Sequence, residues 1–148
     1  MALSDRIALL RAGELEQLAT PREIYRQPAS AYVARFIGQT NLLSCVVRNG
    51  MADCGAFAWN HSGEPGRALF SLRPECLALA GATNSDRMRF RAHIKNQIFQ
   101  GATSLLHVEC ANGQLLSIRL PGGKDLQGEQ EFEFAAGDAI RLERDEAS

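Results

Sequence analysis

Positions 90 to 98 alternate in character with a period of two. Phe90, Ala92, Ile94, Asn96 and Ile98 fall on one side, and Arg91, His93, Lys95 and Gln97 on the other. A helix, at about 3.6 residues per turn, smears such a pattern around its surface, whereas a strand sends alternate side chains to opposite faces. The pattern therefore predicts a long strand with one buried face, and it fixes the register, because a one-residue slip would turn that face outward. Further short strands surround it. Leu42 to Val47 runs into the turn Arg48-Asn49-Gly50, and Phe57-Ala58-Trp59 and Ala68 to Leu72 flank a polar loop over 61–67. Cys76 to Leu79 follows Arg73-Pro74-Glu75. Leu106, Val108 and Cys110 lead into Asn112-Gly113, a hairpin signal because both residues tolerate positive φ, and Leu116, Ile118 and Leu120 return. After a polar, glycine-bearing loop over 121–130, Phe132 and Phe134 and then Ile140 to Leu142 read as a closing hairpin around Ala135-Ala136-Gly137-Asp138. Short strands joined by turns, with no helical period after Gly38, predict a small barrel or sandwich. The region also reads as two related halves, opening at Leu42 and Phe90 and ending in the apolar runs at Ala68 and Ala139.

The first forty-one residues are different in kind. Ile7 to Leu10 and Leu15 to Leu18 flank Ala12-Gly13 and predict a hairpin. Thr20-Pro21-Arg22-Glu23 carries three helix-start signals: a capping hydroxyl, a proline at the first helical position, and a glutamate placed to complete a capping box. Pro28 ends that helix. A second helix starts near Ser30 with Tyr32, Val33, Phe36 and Ile37 on one apolar face, and Gly38 stops it in a left-handed conformation. Gln39-Thr40-Asn41 is a polar bridge, which divides the chain into residues 1–41 and 42–148.

Composition narrows the function. Of 148 residues, 45% are hydrophobic and 22% charged, with a formal net charge of −1, so the chain carries no strong pull toward nucleic acid or an anionic bilayer. No apolar run approaches the roughly 20 residues of a membrane span. The four cysteines, Cys45, Cys54, Cys76 and Cys110, form no C-x-x-C pair and sit in strand-like surroundings. They read as reduced, buried thiols, and His61, His93 and His107 as scattered strand or loop residues.

The run from Ser4 to Leu43, SDRIALLRAGELEQLATPREIYRQPASAYVARFIGQTNLL, resembles the end of the nucleotide-binding domain in ATP-binding-cassette import subunits, including the polyamine, iron, sulfate and maltose types. S-D-R-I, a glycine-turn hairpin, T-P-x-E-I-Y-x-x-P and F-I-G-x-x-N follow one another in the family's order. Leu72-Arg73-Pro74-Glu75, the turn at Phe99-Gln100-Gly101 and the Gly137-Asp138 step resemble its appended TOBE domain, of OB type. The resemblance implies an OB-like β-barrel preceded by a hairpin and two short helices. It also implies a regulatory, dimer-supporting role on a cytosolic ATPase subunit at the inner face of the membrane. The implied partners are a second copy, transmembrane permease subunits and, indirectly, a solute receptor, with ATP and Mg2+ as cofactors of the parent protein. This sequence itself contains no G-x-x-x-x-G-K-[ST] loop, no LSGGQ-type signature, no strand ending in Asp-Glu and no switch histidine ahead of Ser4. Phosphoryl transfer needs those groups to act on one phosphate, so the chain is read as a C-terminal piece that binds no nucleotide and does not hydrolyse ATP.

Tyr32, Val33, Phe36, Ile37, Arg73, Pro74, Glu75 and Gly101 are the candidate interface and structural residues. Arg73 and Glu75 are expected to satisfy nearby carbonyls or each other, and Tyr25, Tyr32 and Phe36 to anchor the helices on the parent domain. Residues 1–41 are expected to be either poorly ordered or buried against a second copy. Asp5, Glu14, Glu16 and Glu23 read as a solvated face and a cap, and Trp59 as part of the barrel wall. Pro121-Gly122-Gly123-Lys124 lacks the Ser or Thr of a phosphate loop. A competing reading is a stand-alone module for a small solute or oxyanion, with the glycine-rich loops and Arg119 or Lys124 as candidate contacts. Nucleic-acid binding is a poor fit, because aromatic residues make up only 7% and no basic groove is visible.

Overall fold

The computed structural model describes residues 6–81, 87–122 and 124–143. It opens with an antiparallel hairpin, β1 (Ile7–Arg11) and β2 (Glu14–Ala19), turned by Ala12 and Gly13 at φ 53° and 83°. Two positive φ values in a row make a turn whose twist matches the paired strands. Helix α1 (Pro21–Arg26) starts as its sequence prescribes. The Glu23 amide donates to the Thr20 hydroxyl at 3.1 Å, and the Thr20 amide donates to the Glu23 carboxylate at 3.0 Å. Helix α2 (Ala31–Ile37) is capped by Ser30, whose hydroxyl accepts from the Val33 amide. Leu9, Ile24 and Val33 bury together, with Ile7, Ala19, Tyr32 and Ile37 packed around them.

The rest is two five-stranded antiparallel sheets. The first contains β3 (Asn41–Arg48), β4 (Met51–Asp53), β5 (Ala58–Asn60) and β6 (Gly66–Leu72). A 3-10 turn at Pro74–Cys76 leads to β7 (Ala78–Leu79). The second contains β8 (Met88–Gln100), β9 (Thr103–Glu109), β10 (Leu115–Pro121) and β11 (Glu129–Phe134). Another 3-10 turn at Ala136–Asp138 leads to β12 (Ile140–Arg141). The sheet orders are β12-β6-β3-β4-β5 and β7-β11-β8-β9-β10. The two halves thus share one topology, and each sends its last short strand across to the other's sheet. The registers agree as well: Leu43 faces Phe70 and Asn41 faces Leu72 in one sheet, while Phe90 faces Phe132 and Met88 faces Phe134 in the other.

Both sheets bury their inner faces in one core. Trp59 lies edge-on to Phe70 and Phe134, and Phe57 stacks on Phe90 at 4.5 Å. Aromatic rings contribute large apolar area and favour these offset and edge-to-face arrangements, so the cluster fixes how the sheets meet.

Several expectations change. The single buried face of the long strand holds only from Phe90 to Ile94: the register shifts between Ile94 and Asn96, and beyond it Asn96 and Ile98 are exposed while Gln97 is half-buried. The last strands do not form a hairpin: β11 pairs with β8 and β7, and β12 pairs with β6, so Ala136–Asp138 carries the chain between sheets. The partner of Ala68 in the internal repeat is therefore β11, and the run after Ala139 matches the run after Leu77. Gly38 is extended, at φ 175° and ψ 179°, rather than left-handed. Residues 6–41 form a small core of their own, with Val33 fully buried and only part of the apolar face left outside, instead of requiring a second copy to cover it. Strand β4 was not foreseen. The OB-type, mainly β architecture with a preceding hairpin and two helices is present.

Candidate functional site

Polar and charged side chains from the helices and the sheets meet at the junction between them. Arg73 leaves the end of β6 and is only 6% exposed. Its Nη1 donates to the carbonyls of Ala34, Gly38 and Gln39, each at 3.0 Å, and its Nη2 to the Tyr25 carbonyl at 3.2 Å. The guanidinium carbon sits 4.3 Å from the centre of the Tyr25 ring. A planar fork with five donors can gather carbonyls from two helix ends in this way, and those ends carry the negative pole of each helix. Burial pulls the Arg73 pKa below its ordinary value, while Tyr25, Glu75 and Cys76 oppose that shift.

The Tyr25 hydroxyl donates to the Glu75 carboxylate. Burial, and then the bond to Glu75 and its charge, push the Tyr25 phenol up to about 12. Pro74 between Arg73 and Glu75 is buried and opens the 3-10 turn, so one side chain faces the helices from β6 and the next meets Tyr25 from the turn.

A second knot lies one strand away. The Asn41 amide donates to the carbonyls of Leu72 at 3.1 Å and Ser117 at 2.9 Å, and its Oδ1 accepts from the Ser117 amide at 2.7 Å. Strand β10 is a sheet edge, and the Asn41 side chain stands where a further strand would pair. The Thr40 and Ser71 hydroxyls are 2.6 Å apart. A groove of about 480 Å³ runs alongside, lined by Tyr25, Arg26, Ser71, Arg73, Glu75 and Asp138 among others. Its walls mix cations with carboxylates and so favour no single sign of ligand.

The other candidates lie apart from this junction. Tyr32 is half-buried under the Arg11 guanidinium, Ile37 packs on the small core, and Phe36 is 61% exposed, its ring centre 6.0 Å from that of Tyr32. Tyr25 packs under Arg73 of this same chain and keeps 37% of its surface exposed. Gly101 occupies the β8–β9 turn at φ 69°, a conformation suited to glycine. Glu23 is the cap, Glu16 accepts from the Ser30 hydroxyl, and Trp59 is in the core. Asp5 and Gly123 lie outside the described residues. Arg119 donates to the Gln100 and Gln39 side chains, while Lys124 is exposed in the segment after β10. Sequence reasoning missed Asn41 as a contact residue, although the asparagine of F-I-G-x-x-N marked it. Among the described residues no group of three or more His, Cys, Asp or Glu could hold a metal, and no helix is long and apolar enough to cross a membrane.

Comparison with known proteins gives the family. The family model described as the TOBE domain matches residues 70–148, more than half of the chain. This chain belongs to the TOBE-domain family. Relatives extend the likeness through the hairpin and helices that precede the TOBE match. The sn-glycerol-3-phosphate import ATP-binding protein of Rhizobium meliloti is 37% identical over 92% of this chain and 39% of its own length. A spermidine/putrescine import ATP-binding protein of Pseudomonas aeruginosa is 36% identical over 95% of this chain and 41% of its own. An Fe(3+) ions import ATP-binding protein of Pectobacterium atrosepticum is 32% identical over 81% of this chain and 35% of its own. The TOBE chain is therefore homologous, over most of its length, to ATP-binding subunits of ABC importers, and it spans about two fifths of those relatives.

Proposed function

We propose that this chain is the C-terminal, regulatory and dimer-supporting part of the ATP-binding subunit of an ABC importer. In this reading residues 1–41 close the ATPase domain and residues 42–148 form the appended TOBE domain. The parent subunit couples ATP hydrolysis, with Mg2+, to solute uptake at the cytoplasmic face of the membrane. It pairs with a second copy and with permease subunits. Polyamines such as putrescine and spermidine are cargo candidates, beside the glycerol-3-phosphate and iron named for other relatives. The observation that carries the reading is the junction. The two motif groups on which the resemblance rests, F-I-G-x-x-N and L-R-P-E, meet there through Arg73, and relatives named as importer ATP-binding proteins match more than nine tenths of the chain, helices and sheets together. Phosphoryl transfer needs a phosphate loop, a lysine and a metal acting on one triphosphate, and in this reading those groups belong to the part of the subunit that residues 1–148 do not include. Light scattering on the full-length subunit tests the proposal. A dimer is expected that weakens when residues 42–148 are removed, and a strictly monomeric full-length subunit would overturn it.

A further inference from the structure

Among the described residues the hairpin–helix unit and the sheets form separate apolar clusters that share no residue. The side-chain hydrogen bonds described between them are polar ties: the four from Arg73, Tyr25 to Glu75, Thr40 to Ser71, and Arg119 to Gln39 at 3.1 Å. An interface of that kind resembles a transient one, for which relative motion is the default unless something holds it. Asn41 is pinned into β3 and β10, while the residues just before it are not part of either sheet. The chain can therefore pivot between Gly38 and Asn41. Three of the four Arg73 bonds fall on this stretch or on the helix that enters it, at Ala34, Gly38 and Gln39, and the fourth reaches α1 at Tyr25.

We infer that Arg73 is the latch of a movable joint. It holds the hairpin–helix unit in one orientation on the two sheets, and withdrawing its four acceptors frees that unit to turn about the stretch from Gly38 to Asn41 without opening either core. Charge and shape both matter, since only a guanidinium fork reaches carbonyls on two helices together and stacks on Tyr25. The latch follows from this chain's own geometry and does not rest on the importer reading.

Residual dipolar couplings of backbone amides in this chain test the idea, because they report the mutual orientation of two bodies. In the unmodified chain one alignment tensor fits residues 6–37 and the sheet strands together. In Arg73→Ala the sheet couplings persist, and the alignment magnitude of residues 6–37 falls about twofold or more relative to them. Arg73→Lys, which keeps the charge without the fork, gives an intermediate fall, and Tyr25→Phe, which keeps the stacked ring, leaves one tensor. If Arg73→Ala does not fold, Arg73→Lys decides by the same comparison. One shared tensor in the folded Arg73 variants would overturn the latch. Collapse of the sheet signals in both would also overturn it, by making Arg73 a core residue of the sheets.

Discussion

Asn41→Ala isolates a single amide that ties β3 to β6 and β10. The side chain is 7% exposed and makes three hydrogen bonds, to the Leu72 carbonyl and to both main-chain groups of Ser117. Each intramolecular bond contributes about 1 kcal/mol net, and a buried group left without a partner costs about 1–3 kcal/mol. Ser117 is half-buried on an edge strand, so water can partly replace its lost partner, whereas Leu72 is fully buried. Together these put the loss at about 3 kcal/mol, or a fall in Tm of about 6–12 °C for a domain of this size. Thermal and urea unfolding followed by circular dichroism and by Trp59 fluorescence would read it. Asn41→Asp sharpens the test. It keeps an acceptor for the Ser117 amide but turns a carboxylate toward two carbonyls, so it should cost at least as much as alanine. If Asn41→Asp proved as stable as the unmodified chain, the assignment of Asn41 as the clip on β10 would be wrong.

Two other predictions concern local chemistry. The Thr20–Glu23 capping box lowers the Glu23 pKa through its bonds to the Thr20 backbone and hydroxyl. Its contribution is therefore present above the ordinary glutamate range and lost as pH falls through the lowered value. Thr20→Ala should destabilise α1 by about 1 kcal/mol and reduce that acid dependence without removing it, because the residue-20 amide still donates to the Glu23 carboxylate; amide exchange at residues 21–27 reads both effects. The cysteine thiols are held up by burial, Cys45 to about 12 and Cys76 and Cys110 to about 11. Few thiolates exist near neutral pH, so a thiol reagent should modify half-buried Cys54 and Cys76 slowly and reach Cys45 and Cys110 only on unfolding. Rapid labelling of Cys45 in the native chain, detected by mass spectrometry, would contradict this.

What could be read in advance follows the range of the forces involved. Caps, turns and strand alternation act over a few residues, so the Thr20 box, the Asn49-Gly50 turn and the face containing Phe90 and Ala92 were legible. The short strand Met51–Asp53 was not, because three residues carry too little alternation to announce a strand. The exchange of β7 and β12 was hidden for another reason. A hairpin and a crossover begin with the same turn residues, and only the distant sheet decides between them. The junction was half legible. Arg73, Pro74 and Glu75 stood out as a step and Asn41 as the end of a motif, but the partners of Asn41 on Leu72 and Ser117 lie 31 and 76 residues away. Gly38 shows the opposite error. Its type suggested a special backbone conformation, but an ordinary extended one is present, and its carbonyl is what meets Arg73.

The exchanged strands have a consequence for how this molecule can be divided. Each sheet borrows its outermost member from the other half, so the halves are clasped and neither is a detachable module. The span matched by the family, residues 70–148, begins inside β6 and leaves out β3, the neighbour that β6 needs. The matched span is thus shorter than the physical unit, whose core also takes Leu43, Cys45 and Val47 from β3 and so starts at least as early as that strand.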